Sequence, residues 1–191
     1  MKKTALFLIL SFIAISMAFS QESTFNKGDK VVNLGIGLGA IGYGGTYWST
    51  TFPPISVSGE MGFMDGVLDK GVIGIGGIIG YSAYKWEYTY PGYDNYGWKY
   101  TNFILGARGS FHYPLVDKLD TYTGLALGAR IQTETEFGTL GTGYVGSNAA
   151  GSGPFFSWFA GARYYFNDKF AGMAEIGYGI SYLTLGLSVK L

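Results

Sequence analysis

The chain has no cysteine, a single histidine and no long apolar run outside its N-terminus. Without cysteine, neither a disulfide nor a lipid-modified cysteine is available. One histidine and no cysteine give poor support for a transition-metal site, and we expect no metal and no cofactor. A membrane-spanning helix needs roughly 20 consecutive apolar residues. A mature chain that crosses a membrane therefore does so with β-strands.

Charged residues are scarce as well, at 14% of the chain. Lysine and arginine number 13, and setting aside Lys2 and Lys3 at the N-terminus leaves 11 against 13 acidic residues. This mild negative balance disfavours nucleic acid as a partner. Glycine (32), tyrosine (16) and phenylalanine (14) are abundant. Such proportions are typical of a sheet with one face against lipid and the other lining a crowded lumen.

The N-terminal segment has the features of a cleavable secretory signal peptide. A basic start at Lys2 and Lys3 precedes an apolar core and a small-x-small cleavage site that ends at Ser20. We therefore predict a signal peptide over residues 1–20 and an outer-membrane β-barrel domain over residues 21–191.

The mature chain consists of segments of about ten residues in which apolar and small or polar side chains alternate. In the last one, Leu185, Leu187 and Leu191 share one face, whereas Gly186 and Ser188 lie on the other. Eight such strands are predicted, at residues 31–43, 55–64, 71–84, 98–113, 121–134, 155–166, 171–179 and 181–191. Most connections alternate between short turns and long loops, the long ones at 44–54, 85–97 and 135–154. This pattern predicts an all-β fold, an eight-stranded antiparallel up-and-down transmembrane β-barrel with both termini on the periplasmic side.

Charged residues within the predicted strands fall mainly on the face opposite the apolar one. A lipid-facing arginine near the midplane costs about 2–4 kcal/mol, so these residues should point into the lumen. The predicted lumen charge network consists of Glu60, Arg108, Arg130, Arg163 and Glu175. Folding about the turn at 167–170 places Arg163 nearly opposite Glu175, which predicts an ion pair between them.

The charge network has two interpretations. It is either a charged constriction that selects ions or a set of structural salt bridges that plugs the lumen. Eight strands leave an interior just wide enough for side chains to fill, which favours the plug.

Aromatic residues gather near the predicted strand ends, as in the two interfacial girdles of membrane barrels. The tyrosine-rich connection at 85–97 exceeds that requirement, and we hypothesise that it binds an extracellular ligand. The candidate residues are Trp86, Tyr88, Tyr90, Tyr93 and Tyr96. The alternative is that tyrosine only rigidifies an exposed hairpin tip.

Catalytic motifs are scarce, and we predict no enzymatic activity. Gly37, Gly39 and Gly42 match a dinucleotide fingerprint by letter, but they lie in a strand with no helix after it. Ser110 and His112 share a face two residues apart, an arrangement found in outer-membrane lipid hydrolases. The predicted topology turns this pair inward at the periplasmic end, whereas such sites lie near the outer surface.

The C-terminal sequence GARYYFNDKFAGMAEIGYGISYLTLGLSVKL resembles the small outer-membrane β-barrel proteins of Gram-negative bacteria, a porin-like group common in Bacteroidetes. The mature chain also resembles the membrane half of OmpA-type proteins. This resemblance implies eight strands, export by the general secretory route and insertion by the barrel assembly machinery. Outer-membrane lipid and lipopolysaccharide would then surround the barrel.

We therefore expect an integral outer-membrane protein with a structural or surface-interaction role carried by its extracellular loops. The alternative is a small porin that passes ions or very small solutes through the charged lumen, and the third candidate is a lipid hydrolase. A soluble calyx such as a lipocalin would have an apolar interior and a polar exterior. The signal peptide, the aromatic girdles and the inward charges favour the membrane barrel over the calyx.

Overall fold

The structure is a computed structural model, and it describes residues 23–39, 43–89, 96–138 and 151–191. The predicted signal peptide lies outside the described residues. Within the described residues there is no helix long and apolar enough to cross a membrane.

Eight antiparallel strands form a closed barrel in which each strand pairs with its neighbours in sequence and β1 pairs with β8. The predicted fold class is therefore confirmed. The strands are β1 (Lys30–Leu38), β2 (Trp48–Val67), β3 (Gly71–Tyr88), β4 (Tyr96–Val116), β5 (Leu119–Phe137), β6 (Gly153–Tyr165), β7 (Phe170–Tyr178) and β8 (Leu183–Lys190).

The barrel is much taller on one side than on the other. Strands β2 to β5 contain 18 to 21 residues each, whereas the other four contain 8 to 13. Most of the extra residues lie at the end that carries the connections β1–β2, β3–β4 and β5–β6, which we call the long-loop end. The opposite, short-turn end carries tight turns such as the one between Val116 and Leu119.

All three connections at the long-loop end are therefore shorter than the predicted loops at 44–54, 85–97 and 135–154. The prediction of a loop at 44–54 was wrong because β2 begins at Trp48 and passes through Pro53 and Pro54. Proline has no N–H to donate, and the pairing of β2 with β3 shifts register between Phe52 and Ile55. The strand thus accommodates the prolines as a local irregularity and does not end there.

Side chains alternate between the lumen and the outer surface, as predicted. Exposed residues in the middle of the strands are apolar, and Leu127 on β5 and Leu187 on β8 are 60% and 61% exposed. Their neighbours Ala126 and Ser188 are buried inside the barrel. The exposed apolar side chains of the strands form an outward apolar belt. This belt surrounds an interior that carries buried charge.

Candidate functional site

The lumen near the short-turn end is organised around Arg163 on β6, which has no solvent exposure. Its guanidinium donates to Asp120 Oδ2 at 2.9 Å, to Asn33 Oδ1 at 3.1 Å and to the Glu60 carboxylate. Two carboxylates and an amide thus use all three of its nitrogens. A buried arginine is tolerated only when it is paired in this way.

His112 lies next to this arginine and joins the same two carboxylates. Its Nδ1 is 2.8 Å from Asp120 Oδ1, and its Nε2 is 3.3 Å from Glu60 Oε2. Ser110 donates its hydroxyl proton to Glu60 Oε2 at 2.6 Å and lies 2.9 Å from His112 Nε2. We call these five residues the lower cluster. They are Glu60, Ser110, His112, Asp120 and Arg163.

Three members of the lower cluster have the connectivity of a hydrolytic triad, since Ser110 contacts His112 and His112 contacts Asp120. A triad needs the serine proton on the histidine and a substrate within reach of the hydroxyl. Here the Ser110 proton points to Glu60, and the three side chains belong to residues that are only 2–4% exposed. The three side chains are therefore enclosed in the lumen, where Glu60 and His112 share the Ser110 hydroxyl.

A second group of charges lies nearer the middle of the lumen. Arg108 on β4 forms an ion pair with Glu175 on β7, which also accepts a hydrogen bond of 2.8 Å from the Tyr122 hydroxyl. The Arg108 guanidinium lies 3.7 Å from the centroid of the Phe159 ring, a cation–π contact. We call Arg108, Tyr122 and Glu175 the upper cluster.

The predicted ion pair between Arg163 and Glu175 was wrong. The β6–β7 ladder places Met173 opposite Arg163 and Gly161 opposite Glu175, so the two charges are two residues out of register. Glu175 pairs across the lumen with Arg108 instead.

The predicted lumen network is thus divided between the two clusters, with Glu60 and Arg163 in the lower one and Arg108 and Glu175 in the upper one. Arg130 belongs to neither, because it lies near the long-loop end and donates to the Gly151 carbonyl at 3.2 Å. Asp120 was not predicted as a partner, because its position directly after a turn assigned it to the turn. The contacts of His112 with Glu60 and Asp120 were not predicted either.

The short-turn end of the lumen is closed by residues 23–29, which we call the N-terminal plug. Phe25 is 1% exposed and stacks on the His112 ring with a centroid distance of 4.1 Å. The Gly28 amide donates to the Gly62 carbonyl at 2.8 Å. Lys190 forms an ion pair with Asp29 at 2.7 Å. These contacts fix the plug to both β2 and β8.

Above the upper cluster the lumen is filled by apolar side chains, which we call the apolar layer. Its members are Ile78, Ile104, Ala126, Phe155, Phe159 and the partly buried Ile180. A cavity of about 30 Å³ lies between this layer and the pair Arg108 and Glu175. A water molecule needs at least about 10–15 Å³ of such volume, so this space has room for one or two waters.

Three of the five predicted ligand-binding residues lie on strands and not in a loop. Trp86 and Tyr88 are among the last three residues of β3, and Tyr96 is the first residue of β4. Tyr90 and Tyr93 lie outside the described residues. Trp86 stands directly opposite Trp98 in the ladder, and their ring centroids are 5.2 Å apart.

The projecting part of β2 to β5 carries two rows of paired side chains on its lumen-side face. In each row, the positions on β3 and β4 are aromatic and the position on β5 is glutamate. One row is Trp48, Trp86, Trp98 and Glu136, and the other is Thr50, Tyr84, Tyr100 and Glu134. We call these two rows the inner wall.

Tyr43 covers the lower row of the inner wall. Its ring stacks on Tyr84 with a centroid distance of 4.1 Å, and its hydroxyl donates to Asn102 Oδ1 at 3.1 Å and accepts from Gln132 Nε2 at 2.5 Å. At the rim, hydrogen bonding to the Glu136 carboxylate raises the pKa of Tyr96 to about 12. The register places the side chains of Tyr84 and Trp86 on the lumen-side face and not in an interfacial girdle.

The described residues contain no group of three or more His, Cys, Asp or Glu side chains arranged to hold a metal ion. In the lower cluster, Arg163 already occupies the space between the Glu60 and Asp120 carboxylates.

No protein-family model matches the chain, and no curated protein is similar to it in sequence. Among solved structures, it is similar to Ail, the attachment invasion locus protein of Yersinia pestis, at 12% identity and a TM-score of 0.43, covering 86% of this chain and 95% of that one. A second structure of Ail, in complex with the heparin analogue sucrose octasulfate, gives 11% identity, the same TM-score and the same coverage. Similarity at this level carries no functional assignment for this chain.

Proposed function

We propose that this chain is an integral outer-membrane protein with a non-enzymatic role, in which the barrel is an anchor and the projecting strands contact the exterior. The outward apolar belt around a charged interior carries the proposal. Exposed leucines such as Leu127 would be costly in water, whereas the lower cluster would be costly on a lipid-facing surface. In a membrane, lipid would surround the apolar outer face, and the charged residues would stay enclosed in the lumen.

The closed lumen favours an anchor over the alternative of a small porin. A solute entering from the short-turn end meets Phe25 first, then the Arg163 guanidinium between two carboxylates. Beyond the upper cluster it meets the apolar layer. Opening a path would break ion pairs in both clusters, and each buried pair costs several kcal/mol to break.

The third candidate, a lipid hydrolase, is opposed by the position of Ser110. This hydroxyl faces the lumen and donates to Glu60, so a lipid in the surrounding bilayer cannot reach it. The outward face of the same strand carries apolar residues such as Leu105, which is 55% exposed.

The proposal includes a route and an orientation. A signal peptide over residues 1–20 would direct export by the general secretory route, and the barrel assembly machinery would insert the chain among outer-membrane lipid and lipopolysaccharide. The tight turns and both termini would then lie in the periplasm, and the long-loop end would face the exterior.

Single-cysteine labelling tests this proposal directly, because the natural chain has no cysteine that could react. Thr135→Cys lies near the long-loop end of β5, and Asp168→Cys lies in the short turn between β6 and β7. In intact cells, a membrane-impermeant maleimide should label Thr135→Cys and leave Asp168→Cys unlabelled until the outer membrane is permeabilised. Labelling of Asp168→Cys alone would reverse the orientation, and a chain recovered in the soluble periplasmic fraction would reject the membrane barrel.

A further inference from the structure

We propose that the inner wall binds an organic ammonium group, such as the quaternary ammonium of a choline-type ligand. This inference rests on the proposed function, since it assigns a ligand class to the strands that would face the exterior. The binding groups are the indole rings of Trp86 and Trp98 together with the carboxylates of Glu134 and Glu136.

The orientation of these aromatic rings requires an explanation other than anchoring in the membrane interface. Interfacial aromatic residues point outward to the lipid headgroups, as Trp158 and Tyr178 do here at 45% and 49% exposure. Trp86 and Trp98 occupy the opposite, lumen-side face of their strands, where no lipid can contact them. Both side chains remain partly exposed on that concave face.

The charge of the inner wall selects the sign of the ligand. Both rows end in glutamate on β5, and neither Glu134 nor Glu136 takes part in the ion pairs formed by the described residues. The nearby Lys85 and Lys99 stand opposite each other in the ladder on the outer face, where Lys85 lies over the Phe137 ring. Aromatic faces beside unneutralised carboxylates attract organic cations and repel polyanions.

Three buried polar atoms of the wall have no hydrogen-bond partner within the described part of the chain. They are Glu134 Oε2, the indole nitrogen of Trp98 and the hydroxyl oxygen of Tyr84, and the first two lie beside the proposed ligand. A buried carboxylate oxygen without a donor is destabilising, and a neighbouring cation compensates it. The Trp98 N–H can donate to an oxygen on the same ligand, such as the hydroxyl oxygen of choline.

Intrinsic fluorescence reports on this site because three of the four tryptophans of the chain, Trp48, Trp86 and Trp98, lie in the inner wall. Trp158→Phe removes the fourth, which is on the outer face. The protein is refolded in octyl glucoside, a detergent without a choline group, and folding is verified by heat-modifiable migration on a gel. It is then titrated with choline chloride and, in parallel, with 3,3-dimethylbutan-1-ol, which has the same shape but no charge.

We expect a saturable change in tryptophan fluorescence with choline and an at least tenfold weaker response to the neutral alcohol. Replacing both carboxylates in Glu134→Gln/Glu136→Gln should weaken choline binding at least tenfold, because only the charge is removed. Glu87→Gln is the matched control, since Glu87 lies near the same end of β3 but on the outer face, paired with Lys85. Its affinity for choline should equal that of the parent within twofold.

Equal responses to choline and the alcohol, or no loss in the double variant, would overturn the inference. A folded barrel that does not respond to choline rejects the ligand class alone and leaves the membrane anchor intact. A chain that shows no heat-modifiable form in detergent rejects the proposed function itself.

Discussion

Arg163 and Asp120 stand directly opposite each other in the β5–β6 ladder, and Arg163 Nη1 lies 2.9 Å from Asp120 Oδ2. The same guanidinium crosses the lumen to Glu60 on β2 and to Asn33 on β1. One side chain thus ties two adjacent strands to the opposite wall of the barrel. We expect this connection to be a main determinant of stability.

Arg163→Ala should lower the free energy of unfolding by about 3–5 kcal/mol, because it leaves the Glu60 and Asp120 carboxylates buried without their cation. The measurement is urea unfolding of the refolded barrel in lipid vesicles, followed by heat-modifiable migration. Arg130→Ala is the control, since within the described residues Arg130 donates to a single backbone carbonyl near the long-loop end. An effect of Arg163→Ala no larger than that of Arg130→Ala would contradict the role given to the lower cluster.

The pair Arg108 and Glu175 should behave as one unit in the upper cluster. Arg108→Met and Glu175→Gln each leave a buried partner unsatisfied, whereas the double variant removes both charges. We expect the double variant to be more stable than the sum of the two single effects predicts, by about 1–3 kcal/mol. If the effects of the two single variants add up exactly to that of the double variant, the coupling free energy between Arg108 and Glu175 is zero and the prediction is wrong.

Alternation in the sequence predicted which face of each strand is buried, because a one-residue error would place every charge in lipid. It therefore identified Arg163 and Glu60 as lumen residues. It did not identify their partners, because pairing across the lumen depends on barrel closure and not on hairpin neighbours. Glu175 was assigned to Arg163 on hairpin geometry alone, and closure gave it to Arg108 instead.

The inner wall was beyond sequence reasoning for a different reason. Pro53 and Pro54 ended the predicted strand, so Trp48 was placed in a loop. The register that brings Trp48 opposite Trp86, and Trp98 opposite Glu136, exists only because β2 to β5 continue past the belt. The spacing of two residues between Glu134 and Glu136 was the available signal, since it places both carboxylates on one face of a strand.

The N-terminal plug should contribute to stability without being the only barrier in the lumen. Phe25→Ala removes the ring that stacks on His112 and should cost about 3 kcal/mol in the free energy of unfolding. The variant should still pass no current in a planar bilayer, because the lower cluster and the apolar layer remain. Leu68→Ala, at an exposed turn position, is the control and should leave stability unchanged. Steady conductance in Phe25→Ala would show that the plug alone closes the barrel.

A charge on the outward apolar belt should be costly only where lipid surrounds it. Leu127→Arg places a guanidinium near the middle of β5 and should destabilise the barrel in vesicles by about 2–4 kcal/mol. Thr135→Arg lies on the same face of the same strand beyond the belt and should cost at most about 1 kcal/mol. Equal costs at the two positions would argue against a membrane around Leu127.

The most direct test of the closed lumen is single-channel conductance of the purified wild-type barrel in a planar bilayer. We expect a silent barrel across the range of applied voltages, with Arg163→Ala less stable but equally silent at temperatures where it stays folded. Steady, ion-selective openings of the wild type, changed in size or selectivity by Arg163→Ala or Glu175→Ala, would contradict it and make the lumen charges part of a pore.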